Sequence, residues 1–372
     1  MKIGIYTQPL LYNFGGILQN WALQTVLKRM GYEVETINQS PYKLKPSLMI
    51  YAKRMVKKYI LRQKVHIRAE ISYNKYYDIL ATNIKPFLEK NIQRRNFFNI
   101  HEVSEQEYDA IIVGSDQVWR PKYNKSHQLR IEDAFLDFAK GWNILRVAYA
   151  PSFGTAEWEY TKEEERNCSE LAKLFKHISV REDSGVDLCR DHLKVDASVV
   201  LDPTLLLKQE DYETLIDSSQ THSPSGDLLC YFLDENEEVQ RLTNLIATTK
   251  GLQPFKANSR IADPTAPIRA RIQQPIEQWL RNFKEAKFVA TDSFHACVFS
   301  LIFGKPFVVL GNKDRGMARY DSLLNLFSAK EHLIYSSEEY NQDLAYDIQA
   351  VNVNQLEEMR KKSMDFLKNA LS

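Results

Sequence analysis

The chain has 372 residues, 44% hydrophobic and 26% charged, the balance of a globular protein long enough for two domains. Its 49 basic and 48 acidic residues leave a net charge of +1, so no global field exists to drive nucleic-acid binding. The scattered cysteines Cys168, Cys189, Cys230 and Cys297 form no CxxC pair, which argues against a disulfide framework and against a zinc or other metal site.

The opening MKIGIYTQPL carries one lysine and no long apolar region, so no secretory leader is expected. No apolar run approaches the length of a bilayer span, and the expected location is the cytoplasm. Lys2–Thr7 reads as a first strand, followed by a loop holding Asn13, Phe14, Gly15 and Gly16. Ile17–Met30 places Leu18, Trp21, Ala22, Thr25 and Val26 at helical spacing, Gly31 ends it, and Tyr32–Ile37 alternates as a second strand. This is a parallel β-α-β opening. The Gly15–Gly16 pair is not a GxGxxG fingerprint, which argues against the usual dinucleotide site.

The next stretch changes character. Lys43–Arg95 holds 14 Lys or Arg against 3 Asp or Glu, a local net charge of +11. Tyr51, Met55, Tyr59 and Ile60 recur at helical spacing among Lys53, Arg54, Lys57 and Lys58. A basic amphipathic helix is expected, followed by a second helix, as an insertion over about 41–100. It is either a solvated excursion or a surface that rests on anionic lipid or a lipid-linked phosphate.

The sheet resumes at Tyr108–Val113, ending in Gly114-Ser115-Asp116. Ile144–Ala150 is another strand, Tyr160–Lys176 a charged helix, and His177–Val180 a buried strand leading into Arg181-Glu182-Asp183. Lys194–Leu201 closes this half, and the polar stretch Asp202–Ser225 is the expected hinge. Domains are therefore expected at 1–203 and 204–350. In the second, Leu228–Leu233 and Gln253–Ala257 read as strands, and Asn236–Thr249, Pro275–Ala286 and Met317–Phe327 as helices. A C-terminal helix within 351–372 carries a stripe of Leu356, Met359, Ser363, Met364, Leu367 and Leu371, which is expected to pack back across the first domain. The outcome is an α/β protein of two doubly wound Rossmann-like domains facing each other across a cleft, the GT-B architecture.

The unit KFVATDSFHACVFSLIFGKPFVVL, Lys287–Leu310, organises the second domain. A buried strand ends at Thr291, Asp292 or Ser293 caps a buried helix over Phe294–Phe303, Gly304 stops it, and Pro306–Leu310 is the next strand. The free N–H groups of that first turn attract anions, and His295 sits among them. His295 either serves a phosphate or carboxylate site there or caps its own helix.

Several loops together resemble one family. NFGGILQNWALQTVLKRMGYEVETI, YDAIIVGSDQVWRP, VAYAPSFG, ISVREDSG, VLDPTLLL and ATDSFHACVFSLIFGKPFVVL, in that order, are similar to polysaccharide pyruvyl transferases. The resemblance implies a phosphoenolpyruvate donor held against the second domain, no nucleotide-sugar donor and no obligatory metal or cofactor. The implied acceptor is a surface polysaccharide or its lipid-linked precursor, which receives a pyruvate ketal. By the same resemblance His295 is the acid that protonates the methylene carbon, and Arg181 pairs with the donor's anionic groups. Ser293 and Phe294 stand where the family commonly has Arg-Leu before the histidine, so a donor-binding cation is missing. Lys305 and Arg315 are the next cations expected at that rim. Lys305 reads equally as an exposed junction residue, and Arg181 as a partner of Glu182 or Asp183. Asn13, Gly15 and Gly16 floor the acceptor pocket or make a turn. Ser115 and Asp116 are acceptor contacts, with Asp116 a base for the sugar hydroxyl or a cap. Two other functions fit the architecture. One is a nucleotide-sugar glycosyltransferase with Asp314 or Asp321 on the ribose, and the other a non-catalytic binder of anionic glycans.

Overall fold

Short apolar runs bounded by turn residues become the strands of two parallel sheets in the computed structural model, which describes residues 1–39, 48–63, 65, 67, 76–127, 129–261, 263, 265–344, 346 and 353–372. Among these, the first sheet comprises β1 (Lys2–Tyr6), β2 (Glu33–Gln39), β3 (Arg94–Phe97), β4 (Ala110–Val113), β5 (Leu145–Ala148), β6 (His177–Val180) and β7 (Ser198–Val199). Their spatial order is β3-β2-β1-β4-β5-β6-β7. The second comprises β8 (Leu228–Tyr231), β9 (Pro254–Lys256), β10 (Phe288–Thr291), β11 (Phe307–Leu310) and β12 (Leu333–Ile334), in the order β12-β11-β10-β8-β9. Every pairing is parallel; Ile5 on β1, for example, lies between Thr36 of β2 and Ile112 of β4. The central strands β4, β8, β10 and β11 are buried along their whole length, as parallel strands covered on both faces must be.

The strand order reverses between β1 and β4 in one sheet and between β8 and β10 in the other. These are the switch points at which open α/β sheets take ligands, at their carboxyl edges. The two domains do not merely face each other. One apolar cluster runs from Ile3 and Ile5 of the first sheet to Val289 and Phe307 of the second. Within it Phe14 stacks on Trp279 with ring centroids 5.3 Å apart.

Several elements differ from their expected bounds. The first helix spans Phe14–Arg29 rather than beginning at Ile17, because the Asn13 carbonyl already accepts the Ile17 N–H at 3.0 Å. Gly15 and Gly16 are therefore a helical first turn and not a loop. The stretch Asp202–Ser225, expected as a hinge, carries two short helices, Pro203–Leu206 and Gln209–Asp217. Leu205, Tyr212, Leu215 and Ile216 give them an apolar side, which joins the shared core. The expected strand Lys194–Leu201 shrinks to two paired residues.

In the insertion, Leu48–Met55 is an α-helix prolonged by a wider helical turn over Val56–Ile60. Residues 76–80 and Lys85–Asn91 are also helical; 41–47, 64, 66 and 68–75 lie outside the described residues. The C-terminal helix Val353–Leu371 packs on the first domain, and only 351 and 352 of that expected segment fall outside the description. Ser363 Oγ accepts the Leu201 N–H at 3.0 Å, and Arg360 donates to the carbonyls of Leu205 and Leu207 at 2.6 and 3.1 Å. No helix among the described residues is long and apolar enough to cross a membrane.

Candidate active site

A cavity of about 350 Å³ opens between the carboxyl edges of the two sheets. Asn13 and Gly15, after β1, and Asp116 and Gln117, after β4, line it from the first domain. Asp292–His295, after β10, and Arg315 and Arg319 line it from the second. Both switch points thus contribute to one cavity.

The two domains meet closely at Gly15 and His295. A Cβ added at Gly15 would sit 2.0 Å from His295 Nδ1, so the imidazole occupies the space any side chain would need. Glycine at that position lets the N-terminal turn of the Phe14–Arg29 helix press against the N-terminal turn of Phe294–Ile302. Two helix N-termini and their unpaired N–H groups therefore converge beside the ring, a setting that favours an anion.

His295 is 7% exposed, and its Nε2 has no hydrogen-bond partner. The nearest carboxylate oxygen to that nitrogen is Oδ2 of Asp202, at 3.8 Å. Burial holds the His295 pKa below the usual histidine value. Asp202 and Asp116 work against the shift, while Arg181 and Arg319 add to it. The ring thus holds a proton less readily than an ordinary histidine.

Around the ring lies a buried charged layer. Arg181 Nη1 meets Asp202 Oδ2 at 2.5 Å, and its Nη2 lies 3.6 Å from Asp116 Oδ1. Asp202 also accepts the Thr204 N–H and hydroxyl at 3.0 and 2.6 Å. Asn13 Nδ2 donates to Asp116 Oδ2 at 3.3 Å. Burial would raise both carboxyls, yet Arg181 and His295 outweigh it and hold Asp116 and Asp202 below the ordinary carboxylate range. Asp116 sits in the left-handed region at φ 61°, which aspartate tolerates better than most residues and which loops at functional sites often hold. Two carboxylates, Asp116 and Asp202, offset two guanidiniums, Arg181 and Arg319. A bound phosphate would upset that balance, and a proton on His295 would offset part of the added negative charge.

Phe294 packs against both arginines, with Arg181 at 4.5 Å and Arg319 at 5.2 Å from its ring centroid. A leucine at this position would offer neither cation a π face. Ser293 is the N-cap by position but makes no side-chain cap bond. Asp292 does not cap the helix either: its carboxylate accepts the Leu233 and Asp234 N–H groups at 2.7 and 3.1 Å. Burial pushes Asp292 up to about 6, against those two bonds and the pull of Arg315.

The structure separates the other expected residues. Arg315 lines the cavity but is held by Asp234 through two bonds of 2.7 and 2.8 Å. Arg181 pairs with neither Glu182 nor Asp183, since Glu182 Oε1 is taken by Ser152, Phe153 and Gly154. Its guanidinium lies behind Phe294 and borders a second cavity of about 360 Å³ beside the C-terminal helix. Lys305, expected at the rim, is at the opposite end of its helix, where Lys284 and Glu285 are its charged neighbours. The nine residues of Phe294–Ile302 carry it roughly 13 Å from the site at 1.5 Å per residue. Ser115 is fully buried and donates to the Ala150 carbonyl at 2.9 Å, so it supports the loop without lining the cavity. Gly16 likewise lies beneath the surface, against Asn13 and Asp116. Asp314 and Asp321 are exposed and line no part of the cavity.

Two residues at the site escaped the sequence reading. Arg319, four residues after Arg315 on the next helix, is buried against Phe294 with its Nε unpartnered. Its spacing gave no signal, because Gly316 and Met317 separate Arg315 from the helix that carries Arg319. Asp202 read as a hinge residue beside Pro203, whereas its carboxylate reaches back to Arg181 and His295.

Two doubly wound domains enclosing an anion-suited cleft at their joint switch points define a protein of the GT-B architecture. The family description of polysaccharide pyruvyl transferases matches residues 13–314, and the chain belongs to that family. No curated protein sequence matches it. Among solved structures it is similar to UDP-GlcNAc 2-epimerase from Neisseria meningitidis bound to UDP-GlcNAc, at a TM-score of 0.48 and 11% identity over 100% of this chain and 99% of that one. It is also similar to the Methanocaldococcus jannaschii UDP-GlcNAc 2-epimerase in complex with UDP-GlcNAc and UDP, at 0.46 and 12% over 100% and 99%.

Proposed function

We propose that this transferase moves pyruvate from phosphoenolpyruvate to a pair of hydroxyls on a surface polysaccharide or its lipid-linked precursor, forming a cyclic ketal. The observation that carries this reading is His295: a buried imidazole set between two helix N-termini, with Arg319 beside it on the cavity wall. Donor phosphate in that turn favours the imidazolium, so the acid becomes charged once the donor is bound. His295 then delivers a proton to the methylene carbon, C2 becomes electrophilic, and a sugar hydroxyl adds there. The second hydroxyl displaces phosphate and closes the ketal. The two hydroxyl protons balance the one given by His295 and the one that leaves.

The remaining residues have supporting roles in this reading. Arg319 takes the place of the missing family arginine and holds donor oxygens, with Arg315 at the edge. Asp202 stands behind His295 Nε2 and steadies the imidazolium, which leaves Nδ1, on the Gly15 side, to deliver the proton. Asp116, ionised and in the cavity wall, accepts from the acceptor hydroxyl, and Asn13 orients it. The chemistry needs no cofactor beyond the donor. Phosphate release from phosphoenolpyruvate together with an acid-labile ketal on a candidate glycan is the test. Phosphoenolpyruvate left intact with every pyruvylatable glycan would rule the reading out.

A further inference from the structure

The helix of the insertion has an unusual surface. No side chain of Leu48–Met55 or Val56–Ile60 is buried. Leu48, Tyr51, Ala52, Met55, Val56 and Tyr59 follow at i, i+3, i+4, i+7, i+8 and i+11, the spacing of a helix meant to bury one face. Yet Leu48 is 87% exposed, Tyr59 65% and Ile60 72%. Flanking that stripe are Lys53, Arg54, Lys57, Lys58 and Arg62, and the stretch 48–63 contains no Asp or Glu. An apolar stripe of this size left in water is a liability unless something covers it.

We infer that this helix is a docking surface for an anionic lipid bilayer. Charge decides among the possible occupants. A second copy of the chain laid on this face would set Lys53, Lys57, Lys58 and Arg62 against the same four cations, from a stretch that holds no Asp or Glu. Nucleic acid would satisfy the cations and leave the apolar stripe wet. An anionic bilayer takes both: the stripe enters the boundary between headgroups and acyl chains, and the lysines and arginines reach the headgroups. Each basic residue near such a surface adds to the attraction, and salt screens it.

Position agrees with this. The insertion leaves the sheet after β2 and returns to it at β3, and the carboxyl end of β2 is the same edge at which β1 and β4 build the cavity. Its returning part touches the cavity wall, where Asn83 Nδ2 donates to the carbonyl of Gln273 at 2.8 Å. A bilayer docked here would hold the open edge of the cleft toward the headgroups. The inference rests on this surface and not on the donor chemistry.

The test is co-sedimentation of the full chain with vesicles of phosphatidylcholine, with and without phosphatidylglycerol, at low and high salt. Binding is expected only with phosphatidylglycerol, and at least tenfold weaker at high salt. Lys53→Glu/Lys57→Glu and, separately, Tyr59→Ser/Ile60→Ser should each weaken it at least tenfold while melting temperature and phosphate release on a water-soluble acceptor stay unchanged. No pelleting with anionic vesicles at low salt would overturn the inference. So would equal binding to pure phosphatidylcholine, or a concentration-dependent dimer abolished by Tyr59→Ser/Ile60→Ser in a protein that ignores vesicles.

Discussion

His295 Nε2 lies 3.8 Å from Asp202 Oδ2, inside the protein and across the boundary between the two domains. The same carboxylate oxygen is held by Arg181 at 2.5 Å. One buried aspartate from the first domain therefore fixes a cation of its own domain and faces the ionisable ring of the other. Asp202→Asn should cost stability, of the order of 3–5 kcal/mol for a buried pair that loses one partner. It should also depress the His295 pKa further, because the carboxylate is what opposes burial there. An acid that must start protonated is lost as pH rises through its pKa. The kcat profile of the variant should therefore fall off at lower pH than that of the wild type. A profile unmoved by Asp202→Asn would leave Asp202 a structural role only.

Gly15→Ala separates contact from propensity. Alanine is the better helix former by roughly 0.5–1 kcal/mol, so the change would stabilise the helix if nothing lay opposite. With His295 Nδ1 2.0 Å from the new methyl carbon, the ring must move. Turnover should drop at least a hundredfold, since displacements of about 1 Å at a reacting group cost that much. Thermal melting and steady-state rates check both outcomes.

Arg319→Gln tests which cation holds the proposed donor's anionic groups. A charge-assisted hydrogen bond contributes about 1.5–3 kcal/mol, so KM for phosphoenolpyruvate should rise tenfold or more. Lys305→Gln, at the far end of the helix, should leave it unchanged. A large effect from Lys305 with none from Arg319 would reverse the assignment of the donor pocket.

Acid sensitivity has a definite source away from the site. Burial holds His332 near 4, where it packs on Phe307 and Tyr346. Its folded pKa is below the ordinary 6.5, so the unfolded chain takes up the proton first, and stability falls as pH drops from about 6.5 toward 4. The limit is about 3 kcal/mol, from 1.36 kcal/mol per pKa unit. Asp292 acts oppositely. Raised to about 6, it contributes stability that is full below the ordinary carboxylate pKa and lost as pH rises through 6. The difference between wild type and His332→Phe isolates the histidine: melting temperature should fall less on acidification in the variant.

Much of this was legible in the sequence because parallel strands buried on both faces read as short unbroken apolar runs. AIIV, FVAT and FVVL announce themselves, and the turn residues after them mark the carboxyl edges. His295, Asn13, Gly15 and Asp116 could be found because each follows such a run. Lys305 was misplaced because nearness in sequence to Gly304 says nothing about which end of a helix faces the cleft. Ser115 was misread since a loop residue can face inward as readily as outward. Arg319 and Asp202 stayed hidden because their roles depend on how the domains meet. The first helix was expected to begin at Ile17, not Phe14, because a glycine pair signals a loop until a facing imidazole explains it.

The most direct measurement is phosphate release from phosphoenolpyruvate in the presence of a pyruvylatable glycan, for the wild type and for His295→Ala with its fold verified by circular dichroism. The expected result is acceptor-dependent release with ketal formed in equal amount by the wild type, and neither by the variant. Ketal formation at the wild-type rate by a folded His295→Ala protein would contradict the central role of that imidazole.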